Sequence, residues 1–166
     1  NGKMIKQLEK GDYDVTSIYG YDEKNGTIYL QAAAESPMNR EVYAVYKNGT
    51  KKKLSGQSGW NSAVFSGDFK YFINIWSNRN TPYVFSVCSN TGKALRIMED
   101  NKELKDKLAK YNLAEKEMFS FVTSEGIKLN GWMLKPTNFD ATKKYPVVMF
   151  QYSGPGSQQV TDSWNI

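Results

Sequence analysis

A four-strand pattern that recurs about every 42 residues constrains this chain more than any other feature. Between residues 14 and 98, short runs rich in aromatic and β-branched residues alternate with turns. The first four runs are Val15–Tyr21, Thr27–Ala33, Glu41–Tyr46 and Lys51–Leu54. The next four are Ser62–Phe65, Tyr71–Ser77, Tyr83–Cys88 and Ala94–Met98. Asn25-Gly26, Asn48-Gly49 and Asn90-Thr91-Gly92 fall between runs, where tight hairpins need residues that accept positive φ. A shift of about 42 residues lays Tyr29 on Tyr71, Asn48 on Asn90 and Lys51 on Lys93, and one of about 41 lays Leu54 on Leu95. Four strands at this period describe a β-propeller blade. One blade cannot bury both faces of its sheet and needs a neighbour on each side, so two blades are a section of a ring. An eight-stranded antiparallel sandwich is the alternative that the repeat leaves open.

Composition supports a β-rich globular chain. Of 166 residues, 11 are Tyr and 8 are Phe, a bias toward strands. The net charge of +5 is spread along the chain, and Lys51-Lys52-Lys53 reads as a solvated strand end. No nucleic-acid motif accompanies it. Asn25-Gly26-Thr27 and Asn48-Gly49-Thr50 fit the glycosylation pattern, but Asn-Gly is wanted there for the turn itself. The single cysteine, Cys88, cannot form an intrachain disulfide and reads as a small buried hydrophobe. No stretch approaches the ~20 apolar residues of a membrane-spanning helix. The first residues, NGKMIKQLEK, lack a signal-peptide core and do not read as a natural start.

The chain contains no histidine. Serine and cysteine hydrolases use an imidazole as general base, so these residues alone cannot assemble a Ser-His-Asp triad. No Ser-x-x-Lys replaces it, and Gly56-Gln57-Ser58-Gly59-Trp60 misplaces the last glycine of a nucleophile elbow.

The pattern changes near residue 99. Leu104, Leu108 and Tyr111 have helical spacing, and Asp100 with Glu103 resembles a capping box. The spacing predicts a short helix at a domain joint or in an exposed linker. Met118–Thr123 and Ile127–Leu134 then flank Ser124-Glu125-Gly126 as a hairpin. Tyr145–Tyr152 is a continuous apolar run, which predicts a strand covered on both faces, as in a central parallel sheet. A Gly154-Pro155-Gly156 turn follows. It lacks the Gly-Lys-Ser/Thr ending of a phosphate loop, and neither Ser153 nor Ser157 lies in a nucleophile elbow.

The stretches LSGQSGWNSAVFSGDFKYFINIWS, LRIMEDNKEL and GIKLNGWMLKPTNFDATKKYPVVMFQYSGPGSQQVTDSW together resemble the dipeptidyl peptidase IV subfamily of the prolyl oligopeptidase family. The resemblance covers essentially the whole chain, in a bacterial style, and is strongest over residues 126–164. There Gly131-Trp132, Lys135-Pro136, Phe139-Asp140, Lys144-Tyr145-Pro146 and Tyr152-x-Gly-Pro-Gly-Ser-Gln stand in the family order. It implies a mostly β architecture: the last blades of an eight-bladed propeller over residues 1–98, then the truncated start of an α/β-hydrolase domain over 99–166. It implies an internal section of a serine exopeptidase that releases N-terminal X-Pro or X-Ala dipeptides.

By the same resemblance, Tyr152 is the tyrosine whose phenol donates to the oxyanion of the tetrahedral intermediate. The triad is then expected beyond Ile166 and the acidic pair that grips the substrate amine before Asn1. Gln158 and Trp164 fit the family pattern without an assigned role. No cofactor or metal is implied. The expected partners are peptide substrates, the remainder of the chain itself and further copies, because so short a section would expose much apolar surface. The family also implies an extracytoplasmic location. A non-catalytic homologue that keeps the propeller as a binding module remains the alternative reading.

Overall fold

The computed structural model describes residues 2–4, 6–152 and 154–164. Strands β1 (Val15–Asp22), β2 (Thr27–Ala32), β3 (Glu41–Val45) and β4 (Lys51–Lys53) form one antiparallel sheet in chain order. Strands β5 (Trp60–Phe65), β6 (Tyr71–Asn78), β7 (Thr81–Ser89) and β8 (Ala94–Glu99) form a second sheet of the same order. Each sheet is a simple meander with consecutive strands paired, which is blade connectivity rather than the crossed connections of a Greek-key sandwich. The turns carry the expected chemistry. Gly49 (φ 90°) and Gly92 (φ 87°) both occupy left-handed positions closed by similar backbone bonds, Gly49 N to Tyr46 O and Gly92 N to Ser89 O.

The ladders correct the repeat register read from the sequence. The turns superpose Gly49 on Gly92, and the pairs Ile28↔Val45 and Phe72↔Cys88 correspond. The shift is therefore 43 at the turns and 44 in the second strands, and Tyr29 aligns with Ile73 rather than Tyr71. The loops between paired strands differ in length, and turn residues alone do not reveal which strand absorbs the difference.

The two sheets pack through one core. Tyr29, Val42, Ala44 and Leu54 of the first meet Ala63, Phe72 and Cys88 of the second. Phe65 anchors the aromatic part, with ring centroids 4.4 Å from Tyr29 and 5.0 Å from Phe72. Cys88 lies in this core, and burial raises its thiol pKa, so it is an inert packing residue. On the other face of the first sheet, Leu30, Ala32, Tyr43 and Val45 form a second cluster under Tyr13. Strand β3 is thus buried along its whole length, as a strand covered on both faces must be. The lysine run forms the edge strand β4. Lys51 pairs with Glu9 and Lys53 with Glu35, each at 2.7 Å, which blunts that edge.

The chain divides into two compact units. One holds both sheets together with the described residues from Asp162 onward, and the other spans Lys102–Thr161. The second unit opens with helix α1 (Lys102–Leu108), none of whose residues is buried, carrying a Lys102–Asp106 ion pair at 2.5 Å. A hairpin follows, β9 (Lys116–Val122) with β10 (Lys128–Leu134), in unbroken antiparallel register. No helix among the described residues is long and apolar enough to cross a membrane.

One expectation is corrected here. Residues 145–152 do not form a strand, and the side chains from Pro146 to Tyr152 are exposed: Val148 is 96% accessible and Phe150 71%. A central strand draws its hydrogen bonds and its cover from neighbouring strands, and no described strand pairs with this run.

Candidate functional site

The candidate segment runs from Phe139 to Trp164. Its local shape begins with Asp140, whose Oδ1 accepts the Thr142 hydroxyl at 2.7 Å and the Thr142 amide at 3.0 Å. These bonds, and then the Lys143 ammonium, hold the Asp140 carboxyl below its ordinary pKa. Tyr145 turns back on this loop. Its hydroxyl accepts the Asp140 amide at 3.0 Å, and its ring stacks on Phe139 at 5.1 Å. The Phe139-Asp140 and Lys144-Tyr145-Pro146 motifs are therefore the two sides of one self-bonded loop leading into the apolar run.

Tyr152 ends that run and is 62% exposed. Its ring folds over the turn that follows. A Cβ at Gly154 would lie 2.8 Å from both the Tyr152 hydroxyl and its Cε1 atom, so only glycine admits this approach. Gly156 takes φ 72°, and the Ser157 amide closes the turn on the Gly154 carbonyl at 3.1 Å. The Gly-Pro-Gly sequence thus fits a ring against a backbone rather than cradling an anion. Ser153 lies outside the described residues. Beyond the turn, Gln159 Nε2 donates to Ser157 Oγ at 3.1 Å, and Gln158 Nε2 donates to the Val160 carbonyl at 3.0 Å. An exposed phenol on a shaped turn can donate one hydrogen bond to developing negative charge.

The chain then joins the two-sheet unit. The Asp162 amide donates to the Met38 carbonyl at 2.9 Å. Asp162 Oδ1 accepts the Arg79 backbone amide at 2.9 Å and the Arg79 guanidinium at 3.2 Å. The Trp164 amide donates to Ser77 Oγ at 3.1 Å.

Residues 1–83 match the family described as the dipeptidyl peptidase IV (DPP IV) N-terminal region. The chain belongs to the dipeptidyl peptidase IV family. Among curated relatives, a probable dipeptidyl-aminopeptidase B of Chaetomium globosum is 34% identical over 96% of this chain and 18% of its own length. Dipeptidyl peptidase 4 of Trichophyton equinum is 32% identical over 99% of this chain and 22% of its own. The crystal structure of Porphyromonas gingivalis dipeptidyl peptidase 4 superposes with a TM-score of 0.94 at 44% identity, over 99% of this chain and 24% of that one. A putative dipeptidyl aminopeptidase IV from Bacteroides ovatus superposes with a TM-score of 0.75 at 26% identity. The chain spans about a fifth of the length of the curated relatives it matches. The mostly β fold in antiparallel blade-like sheets is that of this family's N-terminal region.

Sequence reasoning missed two features. One is Glu41, fully buried on β3 in phase with Tyr43 and Val45, with neither carboxylate oxygen meeting a donor among the described residues. Burial first, then the like charge of Glu35, raises its pKa to about 7. A charge in phase with an apolar face was the available signal. The other is the Arg79–Asp162 pair, 83 residues apart, which no local pattern announces.

Proposed function

We propose that this chain is an internal section of a serine exopeptidase that releases N-terminal dipeptides, after proline or alanine, from peptides. The observation that carries the reading is the 44% identity to Porphyromonas gingivalis dipeptidyl peptidase 4 across nearly the whole chain. In this reading the two sheets are the last blades of a propeller, and the segment from residue 99 opens an α/β-hydrolase domain. Tyr152 is the oxyanion donor. As the scissile carbonyl becomes tetrahedral, charge develops on its oxygen, and the exposed phenol stabilises that charge more than it stabilises the neutral substrate. One such donor contributes about 3–4 kcal/mol to the barrier. The nucleophile, base and orienting acid come from elsewhere in the longer protein, consistent with a chain that contains no histidine. No cofactor enters the chemistry. The family points to an extracytoplasmic location.

The test compares two proteins on a Gly-Pro chromogenic peptide. The longer protein containing this chain cleaves after the dipeptide, and the 166-residue chain alone shows no turnover. An inert longer protein would favour the non-catalytic homologue. Turnover by the short chain that survives repurification would contradict the sectional reading.

A further inference from the structure

The seam between the two sheets of the first unit is built differently at its two ends. At the end that carries the β1–β2 and β5–β6 turns it is aromatic. Tyr29, Phe65 and Phe69 pack ring on ring there, with centroids 4.4 to 6.0 Å apart. Such an end is held by burial, which water opposes. At the other end, where β5 starts beside the β2–β3 loop, the seam is polar. The Arg40 amide donates to the Gly59 carbonyl at 3.0 Å, and the Asn61 amide to the Arg40 carbonyl at 2.9 Å, forming a parallel bridge between the sheets. Asn39 Nδ2 donates to Ser58 Oγ at 2.9 Å, and Gln31 Nε2 to the Asn61 carbonyl at 2.6 Å. Water replaces each of these bonds once the end parts, so each contributes little net hold.

Residues 162–164 belong to this unit and bind both sheets at the polar end. Met38, in the β2–β3 loop of the first sheet, takes the Asp162 amide. Arg79, in the β6–β7 turn of the second, gives Asp162 two donors on a single oxygen. The β6–β7 register shifts between Trp76 and Asn78, and Ser77 between them is fully buried, its hydroxyl accepting the Trp164 amide. A bulge re-aims a side chain in this way without breaking the sheet. Ser163, between the two anchors, is buried as well. The Asp162 carboxylate is largely shielded, which makes its charge-assisted bonds stronger than those of an exposed pair. Trp164, which the sequence singled out without a role, takes its place here through its backbone.

We propose that residues 162–164 are a latch between the two sheets: bonded to Met38, Ser77 and Arg79, they hold shut the polar end of the seam. Without the latch this end opens in a local fluctuation, while the aromatic end and both sheets stay intact. The unit is thus assembled from two separate stretches of sequence. The residues up to Asn101 fold the sheets, and residues 162–164, which follow the whole of the second unit in the chain, lock them together.

The experiment is native-state amide hydrogen exchange on the 166-residue chain. It compares the seam amides of Arg40 and Asn61 with amides inside the β2–β3 and β6–β7 ladders. Asp162→Ala speeds exchange at Arg40 and Asn61 by about 10- to 100-fold, the effect of one charge-assisted bond lost from the closed state. The ladder amides stay within about twofold of wild type. Asp162→Asn keeps an acceptor for the Arg79 amide and gives a smaller acceleration. Arg79→Ala removes the guanidinium alone and also gives a smaller one. Added to Asp162→Ala it has no further effect, because its partner is already gone. Unchanged exchange at Arg40 and Asn61 in Asp162→Ala overturns the latch. Equal acceleration at the ladder amides overturns it as well, since Asp162 would then support overall stability and no particular end of the seam. Effects that multiply in the double variant also overturn it, since Arg79 and Asp162 would then act apart. If Asp162→Ala fails to fold, Ser77→Ala, which removes the acceptor of the Trp164 amide, carries the same comparison of seam and ladder.

Discussion

Tyr71–Asn78 and Tyr145–Tyr152 are both runs of aromatic and β-branched residues, yet only the first is a strand. Phe72 in the first is 1% exposed, against 71% for Phe150 in the second. Hydrophobicity does not separate them; the reach of their partners does. Strand β6 pairs on one side with β5 and on the other with β7, each joined by a short turn. No described strand pairs with the second run, and a parallel partner, unlike a hairpin one, would need a crossover of about a dozen residues or more. Hairpin meanders complete their ladders within tens of residues, whereas a parallel strand depends on chain far from itself.

The largest expected effect tests this contrast directly. In the 166-residue chain, Phe72→Ala costs about 3–5 kcal/mol in urea unfolding, through lost burial and the cavity it leaves among Phe65, Tyr29 and Cys88. Phe150→Ala changes stability by less than ~0.5 kcal/mol in the same chain. Equal costs would mean that the second run is buried in solution and that the contrast fails.

A second prediction sharpens the difference within the two-sheet unit. Glu41 is fully buried, and its folded pKa of about 7 lies above its ordinary 4.5. Between those values the folded chain holds a proton that the unfolded chain has lost, so stability falls as pH rises from 4.5 to 7. The change amounts to roughly 3 kcal/mol across the window, and Glu41→Gln flattens it. A wild-type pH profile that matches Glu41→Gln would show that the carboxylate finds a partner in solution.

A smaller effect on stability but a clear one on assembly is expected at Val148. Four consecutive exposed apolar residues, Val147 to Phe150, predict self-association of the 166-residue chain. Val148→Asp shifts light scattering to the monomer mass and leaves the unfolding free energy within ~0.5 kcal/mol. A wild-type chain that is already monomeric at high concentration contradicts this.

What the sequence disclosed follows the same division. All eight meander strands, the hairpin at Gly126 and the burial of Cys88 were readable, because hairpin geometry and two-residue alternation are local signals. The repeat register slipped by one or two residues, because matching turns do not fix how loop length is shared. The Tyr145–Tyr152 strand was read from apolarity alone, which reports a tendency to be buried and not the presence of partners. At the candidate site, Tyr152 is a candidate through family resemblance alone, since an isolated tyrosine has no chemical signature. The Gly154 approach and the Asp162 latch depend on contacts over two residues and over 83, and neither is periodic.

The measurement that tests the account most directly is the kcat of Tyr152→Phe in the longer protein, with an N-terminal Gly-Pro substrate. Removing one hydroxyl at an exposed position leaves fold and binding in place. We expect kcat to fall by about 10²–10³ with KM within twofold, because the lost bond forms only as the oxyanion develops. An unchanged kcat would make Tyr152 a residue that packs on Gly154 and nothing more.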